Sequence, residues 1–253
     1  MERWAYISDM FGMTKTPLRH LVLTVSLVFV LAAAPLAARE AKEAKEPDEA
    51  TPKSAFADLQ AGNKRFMKGE PKHPDQQYAL REKLVNGQRP PAIILSCSDS
   101  RVPPELVFDQ GLGRVFTVRV AGNIIDPATV ASIEYAVEHL DSKLIVVMGH
   151  EGCGAVKAAL ETPVGTSAGS RDLDTLLGAI RPNLGAERSA KGEGKTLRSA
   201  VKANVNAVAE DLMIRSKIVR EHVNGGKVAI VPAVYSLESG LVDFWNTGHV
   251  TGE

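Results

Sequence analysis

Four short, almost unbroken apolar runs constrain this 253-residue chain more than any other feature: Ala92–Ser96, Val115–Ala121, Leu144–Gly149 and Val228–Val234. A strand with one wet face alternates apolar and polar residues. Runs of Val, Ile and Leu without alternation suit strands covered on both faces of a parallel sheet. Helical spacings separate them. Val130, Ile133, Val137 and Leu140 predict a helix over 128–140. Val201, Val205, Val208, Leu212 and Val219 mark one face of a long helix over 197–222, which Gly225-Gly226 turns into the last strand. Upstream, Phe56, Leu59, Asn63 and Phe66 mark a helix ending near Gly69, and 76–86 reads as a second. The polar, glycine-containing stretches 162–171 and 185–195 read as surface loops. The expected fold is α/β: a mostly parallel central sheet flanked by helices, joined by right-handed crossovers, with an N-terminal helical arm. Ligands of such sheets sit beyond the carboxyl ends of the strands.

Composition narrows the function classes. Thirty basic and thirty acidic side chains leave no formal net charge, so no nucleic-acid partner is expected, because that would need a basic surface. With 44% hydrophobic residues there is material for a real core, which excludes a disordered chain. The N-terminus stands apart. Leu21 to Ala34 carries no charge, Lys15, Arg19 and His20 precede it, and small residues follow to Ala38. That is the layout of a secretory signal peptide over residues 1–38, with translation starting at Met1 or Met13. A membrane-spanning helix wants about 20 apolar residues, and Pro35 and Arg39 cut this run short. Export is therefore expected, to the periplasm in a Gram-negative cell, with no stable membrane insertion of the mature chain. Residues 39–53 read as a charged linker and 54–253 as the folded domain.

The two cysteines sit at predicted strand ends. Cys97 closes the first run and opens S-D-S-R; His150 and Cys153 follow the third as H-E-G-C. By count alone, two cysteines in an exported chain suit a disulfide. The polar surroundings favour a metal instead: His150 lies three residues before Cys153, and Asp99 and Arg101 follow Cys97 at once. Two thiolates and an imidazole leave zinc one open position, the arrangement of a catalytic site. The other five histidines, His20, His73, His139, His222 and His249, lack such surroundings.

C-S-D-S-R-V-P at Cys97–Pro103, paired with G-H-E-G-C-G at Gly149–Gly154, resembles the β-class carbonic anhydrases. The intervening F-D-Q-G-L-G-R-V-F-T-V-R-V-A-G-N and S-I-E-Y-A-V match the same family, and the similarity runs from about Ser54 to Phe244. The resemblance implies one zinc ion per chain on Cys97, His150 and Cys153, with Asp99 and Arg101 as the catalytic dyad. It implies a closed state with Asp99 as fourth ligand, and a substrate pocket of Gln88, Phe116, Ala121, Tyr135 and Gly154. Without it, Phe116 and Tyr135 would be read as core. It further implies a homodimer or dimer-based tetramer whose pockets lie at the subunit interface, wrapped by the N-terminal arm. The implied reaction is reversible hydration of carbon dioxide to bicarbonate, by attack of hydroxide that zinc supplies at neutral pH. A non-catalytic zinc module, with Asp99 permanently on the metal, and the same fold acting on another heteroallene such as carbon disulfide are the alternatives. A subset of bacterial relatives carries a bicarbonate-inhibited pocket marked by a Trp three residues before the first cysteine. Ile94 stands there, and Arg119, which matches another pocket position, does not mark the subset, so no such regulation is expected.

Overall fold

Thr51 begins the first helix of the computed structural model, which describes residues 50–185 and 197–251, all within the unit Glu46–Glu253. The expectations for residues 1–49, signal peptide and most of the linker, lie outside the described residues, as does most of the loop predicted over 185–195. Thr51 and Ser54 form a reciprocal capping box, and Pro52 takes the first helical position, where its missing N–H costs nothing. Helix α1 (Pro52–Met67) thus starts inside the segment read as linker and ends near Gly69 as predicted. Its buried Ala55, Phe56, Leu59, Gly62 and Asn63 face the core. Gly62 is required there: a Cβ would lie 1.7 Å from the Phe108 carbonyl oxygen. Helix α2 (Tyr78–Leu84) buries no residue against its own chain.

The sheet is built from the four predicted runs and one more. Strands β1 (Ala92–Ser96), β2 (Val115–Arg119), β3 (Leu144–His150), β4 (Ala229–Tyr235) and β5 (Val242–Phe244) lie in the order β2-β1-β3-β4-β5. All neighbours are parallel except β4 and β5, which are antiparallel. Every residue of β1 and β3 is buried, as runs without alternation require. Edge strand β2 is mostly half-buried. It stops at Arg119, short of the predicted Ala121, because Ala121–Asn123 coil into a 3-10 turn with Gly122 at φ +69.

The crossovers are helical. Between β1 and β2 lies the short α3 (Pro104–Val107), and α4 (Pro127–His139), capped by Asp126, leads into β3. After β3 come α5 (Gly154–Glu161) and α6 (Arg171–Ile180), which the sequence reading left unassigned, and a 3-10 turn at Arg181–Leu184. The helix predicted over 197–222 is two helices, α7 (Leu197–Arg215) and α8 (Lys217–Asn224). Ser216 divides them: its backbone is extended, its Oγ accepts from the Val219 N–H at 3.0 Å, and its hydroxyl donates to Glu134 at 2.6 Å. A short α9 (Gly248–Thr251) closes the described chain. Helix α7 lies hard against β3 at Gly149, where a Cβ would meet Val201 and Val205 methyls at 2.6 and 2.7 Å. Among the described residues, no helix is long and apolar enough to cross a membrane.

Candidate metal centre

The parallel register of β1 and β3 assembles the site. Ser96 pairs with Met148, so Cys97 leaves one strand just past that rung and His150 ends the other. Gly152 at φ +67 turns the chain back, and Cys153 becomes the N-cap residue of α5, at the positive end of the helix dipole. One atom from each of Cys97, His150 and Cys153 lies within 4.8 Å of the other two, and all three residues are buried. Both thiols are free, so the disulfide alternative is not realised.

The donor set fits a metal ion. His150 Nδ1 lies 2.9 Å from the Glu151 carbonyl oxygen, which can only accept, so the ring proton sits on Nδ1. Nε2 is left with its lone pair, buried and without a hydrogen-bond partner. A buried acceptor without a donor is costly unless a cation takes the lone pair, and a second nitrogen pinned by a carbonyl is the usual support of a metal-binding imidazole. The two sulfurs are coupled. The two thiols act on each other: the Cys153 partnership, against burial, pulls the Cys97 thiol well below its ordinary range, while the same partnership and burial push Cys153 up.

Asp99 and Arg101 stand beside these atoms. Asp99 Oδ1 accepts from the Arg101 backbone N–H and Nε, both at 2.9 Å, and Oδ2 accepts from Nη2 at 2.7 Å. The guanidinium hydrogen bond is the main reason the Asp99 carboxyl is held far below the usual carboxylate range. Oδ2 lies 3.9 Å from His150 Nε2. The model of the carbonic anhydrase family matches residues 92–242, over half of the chain and all of these groups.

The chain belongs to the β-carbonic anhydrase family. It is 42% identical over 190 residues to carbonic anhydrase 2 of Mycobacterium tuberculosis, covering 75% of this chain and 90% of that one. Among solved structures, the Coccomyxa β-carbonic anhydrase in complex with acetazolamide superposes with a TM-score of 0.58 at 30% identity, over 65% of this chain and 75% of that one. A structure from work on two tetrameric β-carbonic anhydrases of Sordaria macrospora gives a TM-score of 0.58 at 27% identity, over 76% of this chain and 96% of that one.

The expected pocket residues of this β-carbonic anhydrase are less gathered. Ala121 opens the turn that carries Gly122, and Gly154 follows Cys153 at the start of α5. Phe116 is half-buried on β2. Gln88 is exposed, and Tyr135, which its apolar pattern would place in the core, is 52% exposed with its ring 5.1 Å from that of His139. Its own chain buries neither. The sequence reading missed the support that Arg119 gives the dyad: Nε donates to the Cys97 carbonyl at 3.0 Å and Nη2 to the Asp99 carbonyl at 2.6 Å. The available signal was a guanidinium at the end of an apolar edge strand, level with Ser96.

Proposed function

We propose that the chain catalyses the reversible hydration of carbon dioxide to bicarbonate and a proton, with one zinc ion held by Cys97, His150 and Cys153. The observation that carries this reading is the unpartnered Nε2 of His150 facing two coupled thiols beside an ion-paired Asp99. A zinc ion on three protein ligands supplies a nucleophile from water at neutral pH. Asp99, kept ionised by Arg101, is an acceptor only, so it fixes the direction of an O–H group beside His150 Nε2 and leaves that oxygen's lone pair for the substrate carbon. Arg101 and Arg119 hold the carboxylate and its backbone, so the acceptor does not have to be ordered during reaction. The substrate is small, neutral and apolar. A narrow wall of Phe116, Ala121 and Tyr135, with the Gln88 amide for an oxygen and Gly154 beside the ligands, suffices for it.

A homodimer or dimer-based tetramer is part of this reading. Helix α2 has no fully buried residue, β2 is a sheet edge, and Gln88 and Tyr135 are exposed, as expected of a pocket completed by a second copy. The tetrameric Sordaria relatives support it. Export is also proposed, from the basic, apolar and small-residue layout of residues 13–38. Mass spectrometry of the secreted protein should find its N-terminus between Ala33 and Ala41; an intact N-terminus in a membrane fraction would favour an anchor.

Zinc analysis together with stopped-flow hydration on the same sample tests the activity. One zinc per chain with rapid hydration is expected. Zinc without hydration would leave a binding module, and faster turnover of carbon disulfide than of carbon dioxide would move the substrate.

A further inference from the structure

Helix α7 buries an apolar face of Ala200, Val201, Val205, Val208 and Leu212, and one amide lies among them. Asn204 has no exposed surface. A polar side chain in such a place destabilises the fold unless its groups are bonded, and here both ends of the amide are. Its Nδ2 donates to the Gly122 carbonyl at 2.8 Å, and its Oδ1 accepts from Asn183 Nδ2 at 2.9 Å. Gly122 in turn donates its N–H to Cys97 Sγ at 3.4 Å. The path runs from the 3-10 turn after α6, through α7, to a metal-ligand sulfur.

Gly122 is the element that needs an anchor. It sits at φ +69 and ψ 16, where it has no side chain to fix it. Ile180 and Ala155 close the space a Cβ would take, at 2.7 and 3.3 Å. Packing thus stops the turn from moving toward α5 and α6, while the Asn204 amide holds its carbonyl from the α7 side. A leucine at this position would continue the apolar stripe and fill a similar volume. What the amide adds is direction.

We propose that Asn204 is a positioning residue of the metal centre: by holding the Gly122 carbonyl it aims the Gly122 N–H at the Cys97 thiolate. This rests on the reading that Cys97, His150 and Cys153 bind zinc. A hydrogen bond to a ligand sulfur withdraws charge from it and fixes the direction in which it faces the metal site. Loss of that bond has two effects. The sulfur becomes the stronger donor to a bound ion, and it is no longer held toward the other two ligands, so the site is less preorganised and binds metal less tightly.

The test uses the whole protein with cobalt(II) in place of zinc, reading the sulfur-to-cobalt charge-transfer band and the metal dissociation constant by competition with a chromogenic chelator. Asn204→Leu should shift the band to longer wavelength and weaken metal binding by about tenfold. Val208→Ala, which thins the same face outside the path, should lower the melting temperature yet leave band and constant unchanged. An Asn204→Leu protein with the wild-type band and affinity overturns the proposal, as does an equal shift in Val208→Ala. If Asn204→Leu does not fold, Asn183→Ala decides: a smaller shift in the same direction supports the path, and no shift overturns it. Wild-type protein without a thiolate band would instead overturn the metal assignment itself, and this proposal with it.

Discussion

Arg101 binds Asp99 through its own backbone N–H and through two guanidinium nitrogens, at 2.7 to 2.9 Å, so the carboxylate two residues upstream is fixed by one partner. Because that guanidinium holds the Asp99 carboxyl far below the ordinary range, Asp99 stays ionised in mild acid. Loss of activity there is therefore expected from a cause other than its protonation. The expected cause is exchange of Asp99 from Arg101 to the metal. Hydration should rise steeply from acidic to mildly alkaline pH, and crystals from the two sides of the midpoint should differ in Asp99. Asp99→Asn should keep the metal and lose about a hundredfold or more in hydration rate. Undiminished stopped-flow rates in that variant would remove both the dyad role and the exchange.

The thiol pair predicts proton release on metal uptake. Cys97 is held low, chiefly by its partnership with Cys153, and Cys153 is held high. A metal needs both thiolates, so its binding must displace the proton that Cys153 holds. Zinc binding should release protons, measured as heat in buffers of different ionisation enthalpy, and no release would mean that both sulfurs are already deprotonated. Affinity should fall as pH drops. Cys97→Ser and His150→Ala should each lose zinc on gel filtration; full retention in either would sink that ligand.

How much of this was legible in the chain depended on the range of the signal. Apolar runs without alternation located β1 to β4 within one or two residues, because double burial leaves no polar position to blur them. The ligands were legible because each follows a strand end in sequence. Strand β5, only three residues long, has no periodicity to detect, and α5 and α6 lie in a region with no long apolar stripe. Ser216 was hidden inside a stripe that continues across it, since a cap is visible only when the flanking pattern stops. Arg119 and the His150 tautomer depend on main-chain carbonyls brought close by folding, which no side-chain pattern encodes.

Gly149 joins the site to the helix behind it. A Cβ there would lie 2.6 Å from a Val201 methyl and 2.7 Å from a Val205 methyl, one residue from His150. Gly149→Ala should force α7 outward and cost about 1–3 kcal/mol in urea unfolding. Adding Val201→Ala should recover part of that loss, because it removes one of the two obstructing methyls. No recovery in the double variant would place the strain elsewhere.

Asp109 provides the pH test of the arm. Its side chain is 1% exposed and accepts from Arg65 Nε at 2.5 Å and from the Lys72 and His73 N–H groups at 3.0 and 2.9 Å, tying the end of α1 and the segment after it to the α3–β2 connection. Burial acts to raise the carboxyl, but the two N–H groups and the guanidinium outweigh it and hold it below its ordinary value. A carboxylate lowered on folding stabilises the native state fully above its unfolded value, near pH 4, and that contribution is lost as pH falls through the lower, folded value. Asp109→Asn keeps the shape and removes the charge, leaving Arg65 unpaired and an amide N–H₂ group against a donor. It should cost about 3 kcal/mol at pH 7. Urea unfolding midpoints at pH 7, 4 and 3 should fall more steeply for wild type than for the variant, so the gap between them narrows in acid. Parallel curves would mean that Asp109 holds the arm by shape alone.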